Sequence, residues 1–447
     1  MNDLTSGKEW KLILRFALPM LLGNVFQQLY NFVDSIIVGK FIDKEALAAV
    51  GASSPVIWAL IAFIIGIGSG FGIIISQAFG AGNITKVKRT ITTMYLFLFA
   101  SSVVFGLAGV YYVDEIFTLM NLPADVLPDA KTYFTIYSAG IISFFGFNGT
   151  AGILRGLGDS KTPLNFLILA SVLNILLDLL FILYFNWGVA GAAYATIIAQ
   201  MLAFIISIVY LYNKNKVFKQ SLKNIVFDKL ICFQSLKIGV PTGLQQTFVA
   251  VGMTAIVGIV NGFGVNVIAA YSAAIRIDSL AILPAMNFSS ALATFSGQNY
   301  GAKKFNRIRT GFISTTVMSI IFCLVISLII LVFGEDLMSM FTNDPAIVDI
   351  GMDYLVIVTS FYLIISMMFS IHGVLRGVGA TFIPMIITFI SLWLIRIPCA
   401  HFFSLEMGSD GIWWSIPCGW TVGLILSYLY YISGKWNKLK RRNANQQ

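Results

Sequence analysis

The sequence predicts an all-α polytopic membrane protein. It has twelve transmembrane helices in two six-helix lobes, related by a pseudo-twofold axis along the membrane normal. Three observations predict this. The 447 residues are 58% hydrophobic and only 11% charged, with a mean hydropathy of +0.86; a typical soluble domain carries roughly 25% charged residues. Long charge-poor runs alternate with short polar loops, and each run is long enough to cross a bilayer as a helix. The second half of the chain repeats the landmarks of the first.

Taken in order, the runs place spans near 11–38, 46–78, 88–113, 126–153, 162–185, 189–212, 235–260, 266–297, 307–333, 347–374, 382–405 and 411–434. The first run is full length and lacks a small-residue cleavage site, so it reads as a retained first span. The second has no charge from 46 to 85, and its Gly66, Gly68, Gly70 and Gly72 permit close helix approach. The lysine-rich stretch after the sixth span reads as a linker with a short amphipathic segment. The predicted organisation is a first lobe over 1–212, a linker over 213–234 and a second lobe over 235–447.

The repeat is carried by short motifs. Gln77-Ala-Phe-Gly-Ala matches Gln298-Asn-Tyr-Gly-Ala, and Leu154-Arg-Gly-Leu-Gly matches Leu375-Arg-Gly-Val-Gly, both 221 residues apart. Pro19 matches Pro241, Pro163 matches Pro384, and Gly188 matches Gly408. Six spans per half is an even number, so both halves enter the bilayer the same way round. That is the parallel kind of repeat, and lobes so related leave a cleft whose rocking gives alternating access.

Charge sets the orientation. Of the 29 Lys and Arg, 24 lie on the termini and even-numbered loops, six of them between Lys214 and Lys237. Acids gather on the opposite loops, among them Asp114, Glu115, Glu335 and Asp336. By the positive-inside rule both termini are cytoplasmic in a multi-pass plasma-membrane protein. The basic surplus is therefore a topology signal, and no nucleic-acid partner is expected. The partners expected are the lipid bilayer and a small molecule, with the chain a monomer. Cys232, Cys323, Cys399 and Cys418 form no CxxC pair, so neither a disulfide framework nor a metal site is indicated.

Inside the spans ionisable residues are few: Asp34, Asp178, Arg276, Asp278 and Arg396, besides two histidines. Intramembrane charges mark function by default. Asp34 belongs to a polar stripe with Asn24, Gln27, Gln28, Asn31 and Ser35 at helical spacing on the first span. Asn174 and Asp178 share a face of the fifth span, one turn apart. Asn148 and Thr196 are further polar groups deep in the same half. The second repeat keeps the glycines, prolines and Leu-Arg-Gly corners but puts Ile256 where Asp34 would fall. The fold does not need these acids, which points to a function housed in the first lobe. Two carboxylates in a low-dielectric cavity cannot both ionise cheaply, so a proton or Na⁺ would relieve the site. Pro19, about four turns below Asp34, removes a backbone hydrogen bond and supplies a bend that could follow the site's charge.

Plainer readings stand beside these. Asp34 could be a helix end near the interface, since Gly39 and Lys40 follow. Asn174 and Asp178 could be a static clamp between helices. Arg276 and Asp278 are two apart on a helix and cannot pair simply. Arg396 could line the cleft or snorkel. No GxxxxGK[ST], HExxH, GxSxG or DDxxD-like pair is present, which weighs against ATP hydrolysis and against an enzyme.

Gln27-Gln-Leu-Tyr-Asn-Phe-Val-Asp34-Ser-Ile-Ile-Val-Gly39 resembles the first helix of MATE (multidrug and toxic compound extrusion) transporters. Gln77, Gly80-Ala-Gly82 and the paired Leu-Arg-Gly corners are similar to that family too, and the resemblance covers nearly the whole chain. It is strongest to the DinF-type branch. That resemblance implies a first-lobe cation site of Asp34, Asn148, Asn174, Asp178 and Thr196, with Pro19 as the bending residue. The NorM-type branch has acids on the seventh and tenth helices; here Gln245 and Gln246 stand near the former. Together with Arg276, Arg396 and the first-span residues Asn24, Gln27, Gln28 and Asn31 they are candidates to line the cavity. The resemblance implies export of amphipathic, cationic compounds in exchange for H⁺ or Na⁺, without any other cofactor. The alternatives are a lipid-linked oligosaccharide flippase of the wider superfamily, which would want cations in its cleft, and a membrane-embedded enzyme.

Overall fold

Apolar spans can satisfy their backbone only within themselves, which leaves helices as the building unit. A computed structural model describes residues 2–42, 44–120 and 122–437, and among these it contains helices and turns but no strand. The first repeat comprises α1 (Glu9–Phe41), α2 (Lys44–Gly80), α3 (Ile84–Tyr111), α4 (Val113–Leu119), α5 (Leu127–Ala139), α6 (Ile141–Gly156), α7 (Lys161–Asp178) and α8 (Gly188–Lys214). A short helix α9 (Lys216–Lys223) follows. The second repeat comprises α10 (Lys229–Val260), α11 (Val265–Gly301), α12 (Phe305–Ser339), α13 (Pro345–Ser360), α14 (Tyr362–Gly377), α15 (Phe382–Phe389), α16 (Ile397–Met407) and α17 (Ser409–Ile432). Two π-helical stretches interrupt this series, Leu179–Tyr184 after α7 and Ile390–Arg396 after α15.

Not all of the twelve expected spans are single unbroken helices. Among the described residues ten helices are long and apolar enough to cross a membrane, or eleven if α13 and α14, bent by 49°, count as one. The difference lies in the expected fourth and tenth spans. Each is built of two helices, α5 with α6 and α13 with α14, broken at Gly140 and Phe361. Those two residues are 221 apart, so the break belongs to the repeat.

Backbone geometry repeats as well. Gly158 and Gly379, the second glycines of the Leu-Arg-Gly corners, have φ of 79° and 85°. A side chain is disfavoured there, and the turn ends its helix sharply. The first glycines of the corners face a neighbouring backbone. A Cβ on Gly156 would sit 2.7 Å from the Gly72 carbonyl oxygen, and one on Gly377 would meet the Ala293 carbonyl. Close approach of α6 to α2, and of α14 to α11, explains why both halves keep the motif. Of the glycines on the second span, Gly70 likewise lies against the Ser235 and Gly239 backbone of α10.

By their contacts the residues fall into two units. One contains Met1–Asn2 and Leu22–Val240, the other Asp3–Leu21 and Pro241–Gln447. These limits differ from the expected cuts at 212 and 235. The opening stretch of the chain is bonded into the second unit: Leu4 N–H donates to Gln298 Oε1 at 2.9 Å, and Arg307 pairs with Glu9 at 2.9 Å. The start of α10 is bonded into the first, where Thr92 donates to the Val226 carbonyl and Arg89 faces Asp228 at 3.7 Å. Each repeat's first helix thus begins in the other repeat's unit and leaves it near its proline, Pro19 or Pro241.

The first unit has its core along α2, α3 and α6, with Phe71, Ile91, Met94 and Phe145 out of solvent. A second apolar cluster is formed by α1, α2, α4, α5 and α8 and includes Ile37, Phe117, Phe134, Tyr133 and Tyr137. That cluster walls the site described next.

Candidate functional site in the first unit

Asp34 lies inside α1, which runs on to Phe41. It is therefore not a helix end, and the capping reading falls. Asp178 is the last residue of α7, and the π-helical stretch starts immediately after it. Such widened turns recur at functional sites because they re-aim a side chain and loosen the backbone ladder. Asp178 is fully buried and Asn174 nearly so. Both sit where α7 packs on α8.

The carboxyl groups of Asp34 and Asp178 contact each other directly, as a side-chain hydrogen bond. Carboxylates are acceptors only, so a bond between two of them needs one proton. Oδ1 of each acid is buried and has no hydrogen-bond partner. Buried acceptors without donors are costly and are the natural address for a proton or a cation.

The Asn174 amide faces both Asp178 and Thr196. With its nitrogen toward the acid it donates to Asp178 Oδ2 at 2.9 Å, and its oxygen lies 3.3 Å from Thr196 Oγ1. In this orientation the amide oxygen also accepts from Thr196 N–H at 3.1 Å, so its nitrogen and its oxygen both find partners. Thr196 is held by its own bond to the Ala192 carbonyl at 3.1 Å.

Phenols complete the wall. The Tyr30 hydroxyl bonds to Thr196, and both acids act electrostatically on Tyr30 and Tyr133. Tyr133 stacks on Tyr137 at 6.3 Å, one turn along α5. Sequence reasoning missed these three. Tyr30 stands one turn before Asp34, within the motif already singled out, and that spacing was the available signal. The donor set is all oxygen and amide, which suits a proton or a hard cation. Among the described residues no three His, Cys, Asp or Glu side chains gather, so a softer metal finds no cage here.

The other sequence candidates fall in different places. Asn148 turns its amide back to the Phe144 carbonyl at 3.0 Å, on its own helix. Gln27, Gln28 and Asn31 are exposed along α1, while Asn24 is half-buried and Pro19 is buried. Gln246 is half-buried. Gln245 does not line a surface: it is buried, donates to Thr388 Oγ1 at 2.7 Å and accepts from Arg376 at 3.1 Å. Ile256, at the repeat position of Asp34, is core.

The second unit holds the other intramembrane charges. Asp278 accepts from Tyr362 at 2.6 Å and Tyr354 at 3.2 Å. These phenols flank the break between α13 and α14. Arg396 is 9% exposed, ends a π-helical stretch and points Nη1 at Met253 Sδ, 3.5 Å away. Its charge acts on Asp278 and Tyr271. Arg276 is exposed. Arg396 therefore belongs to a buried polar network and does not line an open face, and Asp278 finds its partners on other helices.

The model of the MatE family matches residues 19–180 and 241–402, the two repeats. The chain belongs to the MATE family. It is 34% identical over 98% of its length to the probable multidrug resistance protein YpnP of Bacillus subtilis (strain 168), of which it covers 98%. It is 30% identical over 96% of its length to the probable multidrug resistance protein NorM of Thermotoga maritima, covering 93% of that protein. Among solved structures, a MATE in the bent conformation superposes with a TM-score of 0.92 at 26% identity, over 99% of this chain and 98% of that one. An outward-facing multidrug resistance MATE transporter superposes with a TM-score of 0.90 at 25% identity, with the same coverage. This MATE protein thus shares its fold from end to end with both.

Proposed function

We propose that this MATE protein is a secondary antiporter. It exports amphipathic organic cations in exchange for H⁺ or Na⁺, and the Asp34–Asp178 pair is its ion site. The observation that carries the reading is the direct contact of two carboxyl groups, that of Asp178 fully buried, with the Asn174 amide donating to Asp178. The names of the relatives, probable multidrug resistance proteins, support the substrate class.

In this mechanism the pair takes up one ion from the outer side and neutralises. Helix α1 responds through its weak point at Pro19, where one backbone hydrogen bond is missing. A cationic compound and the ion both need the carboxylate charge, so occupancy by one opposes the other. That opposition converts an ion gradient into export. The ion site placed in the first lobe fits the DinF-type branch. The protein sits in the plasma membrane with both termini in the cytoplasm, and one chain carries the whole site.

The test uses the purified protein in liposomes with ethidium as the amphipathic cation. A proton gradient and a sodium gradient are imposed separately. Ethidium movement against its own gradient is expected with at least one ion. Movement with neither would remove the antiport reading.

A further inference from the structure

The linker between the repeats carries a feature that ion coupling does not use. From Asn213 to Lys237 there are six lysines and a single acid, Asp228. Asp228 is occupied already: it faces Arg89 at 3.7 Å and caps α10, accepting from Leu230 N–H at 3.0 Å. The lysines are therefore a net positive surface without local counter-charge.

Helix α9 arranges three of them. Lys216, Lys219 and Lys223 are exposed, at steps of three and four, and so form one stripe. The opposite face is anchored. Phe218 is 1% exposed and meets the Tyr95 ring edge-on at 6.1 Å. Asn215 caps the helix by accepting from Val217 and Phe218 N–H at 3.0 and 3.1 Å. A solvated charge run needs neither a cap nor a buried aromatic anchor.

Immediately after the stripe comes an exposed apolar run. Ile225, Val226 and Phe227 are 61%, 48% and 46% exposed, and Leu230 and Phe233 on the next turns are 65% and 66% exposed. Topology fixes the level of this patch. Lys214 ends one spanning helix and Lys229 begins the next, so the segment between them lies at the membrane edge. Retention of positive charge on one side explains lysines anywhere in a loop. It does not explain their alignment on a docked helix beside apolar side chains without cover.

We propose that α9 and the residues after it form a binding site for anionic phospholipid. The Lys216, Lys219 and Lys223 ammonium groups would hold the phosphate headgroups, and Ile225 and Phe227 would enter the headgroup–acyl boundary. A basic stripe on one side of an apolar foot is the arrangement by which interfacial helices recognise anionic leaflets. The proposal rests on the cytoplasmic placing of this loop only for which leaflet supplies the lipid.

The test uses the full-length protein in nanodiscs of phosphatidylcholine containing phosphatidylglycerol, with retained lipid counted by native mass spectrometry. Wild-type protein is expected to retain phosphatidylglycerol over phosphatidylcholine. The triple variant Lys216→Gln, Lys219→Gln, Lys223→Gln is expected to lose that preference about tenfold or more. Soluble glycerol 3-phosphate should not displace the lipid. Undiminished preference in the triple variant, or displacement by glycerol 3-phosphate, overturns the proposal. If the triple variant does not fold, nitroxides at Ile225→Cys and Phe227→Cys in the otherwise wild-type linker decide: contact with oxygen-rich lipid supports it, and contact with aqueous relaxant overturns it. Labelling of Asn224→Cys by an impermeant maleimide on intact cells separately tests which side the loop occupies. Labelling from outside would overturn the orientation and leave the lipid result standing.

Discussion

Asp34→Asn and Asp178→Asn each abolish ethidium efflux from cells lacking their own pumps, while the amount of inserted protein is unchanged. The reason is the shared hydrogen bond between the two carboxyls. An amide keeps the shape but cannot gain or lose a proton, and it offers a cation no charge. Stability should move the other way. Replacing a buried ionisable group by a neutral one of equal size removes a desolvation cost. The Asp178→Asn protein should therefore melt at or above the wild-type temperature in a thermal-unfolding assay. Wild-type efflux from either variant would remove both acids from the ion site. Loss of efflux together with a large drop in melting temperature would mean the pair is a static clamp.

Replacing Asn174 by Leu is expected to stop transport almost as completely. The amide nitrogen is 2.9 Å from Asp178 Oδ2 and the amide oxygen 3.3 Å from Thr196 Oγ1. Leucine leaves the acid oxygen without its donor, a cost of about 1–3 kcal/mol for a buried polar atom. Thr196→Val is milder, because the hydroxyl orients the amide but does not touch Asp178. Its initial efflux rate should fall about tenfold or less. Initial rates at matched expression decide between them. A Thr196→Val defect larger than that of Asn174→Leu would contradict the role given to the amide.

What the sequence made legible follows from rarity and period. In a chain that is 11% charged, three acids on spans stand out, two of them in the first half, and the one-turn spacing of Asn174 and Asp178 put both on one face. The repeat was legible because Gly156 and Gly377 each meet a neighbouring backbone, and Gly158 and Gly379 each need a left-handed φ. Other features leave no such mark. The break at Gly140 has apolar residues on both sides and that at Phe361 interrupts a run free of charge, so hydropathy runs straight through both. Tyr30, Tyr133 and Tyr137 are hidden among 17 tyrosines, and aromatic side chains on spans are ordinary. The partners of Gln245, Asp278 and Arg396 come from other helices, which periodicity along one helix cannot supply. The exchange of helix ends between units depends on contacts such as Leu4 with Gln298, close to 300 residues apart in the chain.

The most direct measurement is ion release on substrate binding. Purified protein is held in weakly buffered detergent, ethidium is added, and released H⁺ or Na⁺ is recorded. The wild type should release one of these ions, and the double variant Asp34→Asn, Asp178→Asn should release neither. Release of undiminished size from the double variant would show that the ion is carried elsewhere and would contradict the account.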